Sequence, residues 1–155
     1  MRVEQTLIIL KPDAVQRRLV GKILQRFEDK GLRIAGMKFM RISRGLAERH
    51  YEVHKGKPFY PSLIEYITSG PVLVMVLAGP KVIEVTRKMM GKTFGFEAEP
   101  GTIRGDFGIS RTLNLIHGSD APGTAEKEIA LYFTKEEIVD YAMADERWAI
   151  QAENV

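Results

Sequence analysis

The 155-residue chain contains no cysteine. Disulfides, thiolate zinc sites and cysteine nucleophiles are thereby excluded, and any covalent chemistry falls to another side chain. Long apolar runs are also missing. The longest, Val72 to Ala78, has seven residues, against the roughly 20 that a membrane helix needs. Glu4 and Lys11 bracket Leu7 to Leu10 too closely for the apolar region of a secretion signal. These absences predict a cytoplasmic protein with no membrane span. A strong charge of one sign is lacking too: 23 basic against 20 acidic residues leave +3, with a pI near 9.2. That balance suits a small anionic ligand and says little for nucleic acid. No repeat, linker or low-complexity stretch interrupts the chain. What is present, 45% hydrophobic and 28% charged residues, is a globular composition, and the length predicts a single domain over 1–155.

Thr6 to Leu10 is a short run rich in branched residues that stops at Lys11-Pro12-Asp13, which predicts a strand buried on both faces with Lys11 at its end. Val20, Ile23, Leu24 and Phe27 have the spacing of a helix with one apolar stripe, stopped by Gly31. Leu32 to Ile42 reads as a long strand. Leu32, Ile34, Met40 and Ile42 share parity, Met37 and Phe39 take the other face, and Gly36 marks a bulge. Ala47, His50, Tyr51 and His54, then Tyr60, Leu63, Ile64 and Ile67, predict a helical hairpin broken at Gly56 and Pro58. Val72 to Ala78 is a further core strand, and Gly79-Pro80 opens a helix that ends at Gly91. Lys92 to Leu113, 22 residues with four glycines and Pro100, is longer than a structureless loop normally is unless it binds something. Asn114 to His117 reads as a final strand, followed by a helix from about Thr124 to Tyr132 and a capping box, Thr134 to Glu137, for a terminal helix. This order predicts an α+β fold, a ferredoxin-like βαββαβ sandwich with helices on one sheet face, a helical-hairpin insert and a long active-site loop.

Three motifs fail on inspection. Gly91-Lys92-Thr93 resembles the end of a P-loop, but Thr86 stands where its first glycine belongs. No two of the fourteen glycines are separated by one residue, which rules out a Rossmann fingerprint. His50 and His54 have the i, i+4 spacing of a zinc helix, yet Tyr51 stands where a metalloprotease needs glutamate, so a polar helix face is favoured over a metal site. His117 is different: it ends an apolar strand and precedes Gly118. An imidazole is a competent nucleophile at neutral pH, and a carboxylate on its other nitrogen would fix its tautomer. From the residue alone, a hydrogen-bonded histidine at a strand end is the stronger reading. Thr93 and Arg104 lie in the long loop among Gly101, Gly105 and Gly108, a setting suited to phosphate, and Arg87 adds a second guanidinium, although a solvated charged face is the alternative. Phe59 and Leu63 offer a platform for a nucleobase or, equally, buried core.

Asn114-Leu115-Ile116-His117-Gly118-Ser119-Asp120 resembles the N-x-x-H-G-S-D signature of the nucleoside diphosphate kinase family. Pro100 to Phe107 is similar to that family's loop motif and Lys11-Pro12-Asp13 to its first-strand terminus, and the likeness runs from about Thr6 to Trp148. The resemblance implies γ-phosphoryl exchange between nucleoside triphosphates and diphosphates through a phosphohistidine on His117. It implies Glu128 as the carboxylate that orients His117, with Ser119 bonded to that carboxylate. It further implies Tyr51, Arg87, Thr93 and Arg104 as phosphate contacts, Lys11 and Asn114 as contacts to the ribose and transferred group, and Phe59 as the stacking platform. Mg2+ would arrive on the nucleotide phosphates with no protein metal cage. A homohexamer, or a homotetramer, built from dimers is the assembly the likeness suggests. Stacking without base-edge hydrogen bonds implies broad base tolerance.

Three positions depart from the family pattern: Arg111 beside the base, Phe94-Gly95 where a polar residue and proline are usual, and Arg18 in place of a glycine, which strains its turn if φ is positive. The runner-up, a ferredoxin-like nucleic-acid module, lacks the aromatic pattern such a surface needs, and nucleic acid is not expected as the primary ligand. A silent regulator is argued against by the intact His117 and Glu128.

Overall fold

The structure, a computed structural model, describes residues 3–150; the ends of the expected domain, residues 1–2 and 151–155, lie outside it. Strand β1 (Glu4–Leu10) leads through a one-turn helix α1 (Pro12–Gln16) into α2 (Val20–Asp29) and β2 (Arg33–Arg41). Helices α3 (Arg44–His50) and α4 (Tyr60–Ile67), joined through a 3-10 turn, form the hairpin before β3 (Pro71–Gly79) and α5 (Val82–Met90). Then come α6 (Ile103–Phe107), the short β4 (Ile116–Gly118), α7 (Pro122–Tyr132) and a final turn α8 (Glu146–Ala149). The four strands form one antiparallel sheet in the order β2-β3-β1-β4, the order of a ferredoxin-like βαββαβ sandwich.

β1 and β3 are the inner strands, and their near-continuous apolar sequence follows from having both faces covered. Ile8, Leu10, Leu73, Met75 and Leu77 face α2 and α5 through Ile23, Phe27, Val82 and Met90. Leu7, Ile9, Val72, Val74 and Val76 face the hairpin and α7 through Leu46, Ile64, Ile67 and Ile129. Helices therefore lie on both sheet faces, correcting the one-face arrangement expected from the sequence. The hairpin insert covers the second face because its own apolar stripe has no other partner.

The bulge predicted at Gly36 is present as a register shift between Ile34 and Gly36. It has a consequence that simple parity misses. An extra residue exchanges the two faces of a strand, so Leu32 and Ile34 join one core cluster while Ile42 and Met40 join the other. The four do not share a face. Met37 and Phe39 stay exposed on the sheet-edge strand, at 42% and 65%. The capping box at Thr134 and Glu137 forms, but it starts a single 3-10 turn, Lys135–Glu137, and not the expected terminal helix. Lys92 to Leu113 is not structureless either: it holds a 3-10 turn and α6, whose cap is the Thr102 hydroxyl accepting from Gly105 N. Arg18 has φ +59°, so the strain expected where the family has glycine is present.

Candidate active site

β4 is three residues long, and it brings His117 to the sheet beside Ile9 of β1. Its imidazole points toward α7. Nε2 of His117 lies 3.1 and 3.0 Å from the two oxygens of Glu128, which sits in the second turn of that helix. Ser119 donates from Oγ to Glu128 Oε1 at 2.6 Å and accepts from the amide of Leu7, tying the carboxylate to β1. Burial alone would raise the Glu128 pKa. Hydrogen bonds from His117 and Ser119, with the charge of His117, outweigh it and hold the carboxyl below its usual range. Because Nε2 is taken by the carboxylate, Nδ1 is the ring nitrogen left to react.

A second imidazole, unassigned in the sequence, backs this pair. His50 lies edge-on to His117 with ring centroids 4.7 Å apart. Its Nδ1 is 3.0 Å from the Tyr132 hydroxyl, and its Nε2 is 3.4 Å from Glu128 Oε2. Burial first, then the neighbouring His117, depresses its pKa to about 3, so it is neutral near pH 7. Its spacing to His54 is that of a zinc helix, a reading the sequence disfavours against a polar helix face, and His54 lies on the following 3-10 turn beside Lys57 and Phe59. Two residues of one stripe thus serve different surroundings, because the helix ends between them.

Lys11, at the end of β1, is buried and donates from Nζ to Asn114 Oδ1 at 2.7 Å. Burial, reinforced by Arg104 and opposed by Asp13, lowers its pKa to about 7. Arg104 is not the loose loop cation its sequence setting suggested. It stands on α6, 6% exposed, and donates to the carbonyls of Asn114, Gly91 and Ile116 at 3.1, 3.0 and 2.6 Å. Three of its five N–H groups thus knit α6 and the end of α5 to the segment carrying His117. Arg87 is exposed on α5 and donates to Gly118 O at 3.1 Å. Thr93 is exposed in the loop. Tyr51 is buried against His50, with centroids 4.6 Å apart.

Phe59 is half exposed at the start of α4, and Leu63, on the first turn of that helix, is partly buried against the core. Arg111 lies over the ring of Phe94, 4.9 Å from its centroid, and Phe94 stacks on Phe96. Two of the departures from the family pattern therefore contact each other.

Asp13 is a group whose importance was not legible in the sequence. One of its oxygens accepts from Tyr66 OH at 2.5 Å and the other from the amide of Leu115 at 3.1 Å. Leu115 has φ +70°, an unfavourable conformation for a side chain, and the bond to Asp13 holds it there between Asn114 and Ile116. In the sequence Asp13 stands out only as part of Lys11-Pro12-Asp13, the end of the first strand, with nothing to show its partners. Asp13→Ala should cost about 2 kcal/mol of stability and slow phosphorylation of His117, while Tyr66→Phe, which leaves the Leu115 acceptor in place, should cost less. Denaturant midpoints and rapid-quench rates for the two variants provide the comparison, and equal effects would contradict this division of roles.

Comparison with known proteins identifies the family. The family model for nucleoside diphosphate kinase matches residues 4–138. A nucleoside diphosphate kinase of Thermomicrobium roseum is 57% identical over 94% of the chain and 98% of that relative, and one of Thermoplasma acidophilum is 52% identical over 92% and 97%. Among solved structures, a halophilic nucleoside diphosphate kinase from Halobacterium salinarum, in complex with CDP, superposes with a TM-score of 0.95 at 47% identity, covering 97% of this chain and all of that one. A transition-state mimic of the enzyme from Borrelia burgdorferi, with bound vanadate and ADP, gives 0.87 at 37% identity over 93% and 95%. The chain belongs to the nucleoside diphosphate kinase family of phosphotransferases.

Proposed function

We propose that this chain transfers the γ-phosphoryl group of a nucleoside triphosphate to a nucleoside diphosphate, with His117 as the covalent carrier. The observation that carries this reading is the imidazole whose Nε2 meets both oxygens of Glu128, at 3.1 and 3.0 Å, leaving Nδ1 as the nucleophile. In the first half-reaction Nδ1 bonds to the γ-phosphorus, the bond to the β–γ bridging oxygen breaks, and the diphosphate leaves. In the second, a terminal oxygen of the incoming diphosphate takes the phosphoryl group back from Nδ1. The ring gains positive charge as Nδ1 is phosphorylated, and Glu128, kept ionised by Ser119, stabilises that charge. Phosphoryl transfer asks for positioning and charge compensation more than for covalent assistance. Lys11, Arg87 and the remaining donors of Arg104 supply cationic contacts, Thr93, Tyr51 and Asn114 supply polar ones, and Phe59 stacks the base.

The donor set around His117 is cationic, with Glu128 engaged by His117 and Ser119. Mg2+ therefore fits as an ion carried on the phosphates, where it neutralises their charge, and not as one held by a protein cage. Single-domain action over residues 1–155 in the cytoplasm, within a homohexamer or homotetramer of dimers, completes the reading. Met37 and Phe39, exposed on the outermost strand β2, support self-association, and no helix of the described residues is long and apolar enough to cross a membrane.

The deciding experiment is incubation with γ-labelled ATP followed by isolation of the protein. The label should be acid-labile and base-stable, map to the peptide containing His117, and leave on addition of any diphosphate. Label confined to a serine or threonine, or turnover restricted to one base, would contradict the mechanism or the stacking role of Phe59 respectively.

Lys11 adds a pH signature. Its pKa near 7 leaves it largely neutral at pH 8 in the free protein, and phosphates beside it favour the charged form. Nucleotide binding at pH 8 should therefore take up a proton, approaching one per chain. For folding the sign is the reverse of a stabilising ion pair: burial penalises charged Lys11 fully below about pH 7, and that penalty is relieved as pH rises toward the unfolded value of 10.5. Calorimetry in buffers of different ionisation enthalpy reads the proton count. Undiminished uptake in Lys11→Met would assign it to another group.

A further inference from the structure

His50 and His54 have the spacing of a zinc helix, although the sequence favours a polar helix face, and the structure separates them. It assembles a different set in their place: His50, His117 and Glu128, one donor atom each, all within 4.8 Å of one another. We propose that these three residues form a reversible inhibitory site for a borderline divalent cation such as Zn2+. The proposal rests on the assignment of His117 as the nucleophile.

Two of the three donor–donor spacings match those of a bound ion, and the third, between the two imidazoles, lies within 4.8 Å, close enough for a small ring movement to close on one. Bonds of about 2.0–2.1 Å in a tetrahedron place neighbouring ligand atoms about 3.3 Å apart. Glu128 Oε2 lies 3.0 Å from His117 Nε2 and 3.4 Å from His50 Nε2. Two imidazoles and one carboxylate are also the protein ligands of an open zinc site, whose fourth position takes water. The partially exposed face of His117 provides the approach.

The supporting groups behind the ligands are already in place. A metal-bound histidine is normally held through its other ring nitrogen, and a bound carboxylate through its second oxygen. Here the Tyr132 hydroxyl is 3.0 Å from His50 Nδ1, and Ser119 holds Glu128 Oε1 at 2.6 Å. His50 Nε2 is the atom that most needs a partner. Its side chain is 2% exposed, the atom lies 3.4 Å from Glu128 Oε2, and it makes no hydrogen bond among the described residues. A buried polar atom left unserved is costly, and an ion between it and the carboxylate would satisfy both. Imidazole donors select zinc or copper over magnesium, which prefers an all-oxygen octahedron. Nucleotide-borne Mg2+ therefore does not compete for these atoms.

Inhibition follows from proton placement. In the active arrangement the ring proton of neutral His117 sits on Nε2, facing Glu128, and Nδ1 carries the lone pair. A cation on Nε2 uses the lone pair there and leaves the one ring proton on Nδ1, so the nucleophilic nitrogen is blocked without any change in the total number of protons. Phosphorylation of His117 and occupancy by the cation are mutually exclusive.

The test uses the native full-length protein without nucleotide. Zn2+, set by a metal buffer, is titrated while the ring resonances of the three histidines are followed by NMR. His50 and His117 should shift together and His54 should not. Added Mg·ATP should then give at least tenfold slower labelling of His117, restored by a zinc chelator. His50→Gln should weaken Zn2+ binding by at least about 100-fold. Shifts confined to His54, no shifts at all, or undiminished labelling of a zinc-loaded protein would each overturn the proposal. Absence of label on His117 before any zinc is added would overturn the phosphohistidine reading itself, independently of the zinc titration.

Discussion

Replacement of His117 by alanine is expected to abolish nucleotide exchange, lowering kcat/KM by at least about 10^5-fold. The magnitude follows from the division of labour at the site. In the proposed mechanism Lys11, Arg87 and Arg104 position and neutralise phosphates and would still bind nucleotide in the variant, yet none offers a nucleophilic lone pair where Nδ1 stands. Water or a direct attack by the second nucleotide would have to replace it, with two polyanions brought together. Nucleotide affinity should change by less than tenfold, since the cationic contacts survive. Glu128→Gln separates the two contributions of the pair. It keeps the shape and loses the charge that stabilises the phosphorylated ring, so it should retain measurable labelling at a rate reduced by about 10^2 to 10^3. Steady-state exchange and single-turnover labelling read these outcomes, and exchange in His117→Ala above one hundredth of the normal rate would place the nucleophile elsewhere.

Arg104→Ala is expected to be the most destabilising single change near the site, by about 3–5 kcal/mol. The side chain is buried, and its removal takes away donors from the carbonyls of Asn114, Gly91 and Ile116, which accept from it at 3.1, 3.0 and 2.6 Å, leaving Asn114 O only its bond from Ile116 N. These carbonyls belong to the end of α5 and to the stretch Asn114–Ile116 that leads into β4, and the guanidinium ties both to α6. Thermal unfolding should begin roughly 10 °C lower. Arg104→Lys should recover little, because an ammonium is a point donor and cannot serve acceptors spread around a planar fork. Loss of activity with an unchanged melting temperature would mean that Arg104 acts on substrate alone.

Much of the fold was legible along the chain, for identifiable reasons. β1, β3 and α2 were readable because burial on both faces, or on one stripe, imposes a local pattern of apolar residues. The bulge at Gly36 was visible as a glycine in a strand, but its effect was not: Met40 and Ile42 changed sides because one inserted residue reverses every later side chain. α6 was missed because a one-turn helix has no periodicity to detect, and its stability comes from the Thr102 cap and from Arg104, whose acceptors are distant in sequence. Phe59 and Leu63 follow from helical spacing as neighbours on the hairpin, but their different exposures, Phe59 half exposed and Leu63 partly buried, are set by tertiary packing.

The sequence by itself determined the chemistry available. With no cysteine and only three histidines, a strand-end imidazole among arginines, a lysine and glycines left few reactions open. Tertiary structure decided which of these groups meet. It placed Glu128 on Nε2 of His117, turned His50 inward to the same carboxylate while His54 stayed with Lys57, and buried Arg104 as a tie between three segments. The physical reason is range. Periodicity and turn chemistry act over a few residues and are written locally, whereas desolvated charges and the acceptors that satisfy them are brought together only when the sheet closes and water is excluded.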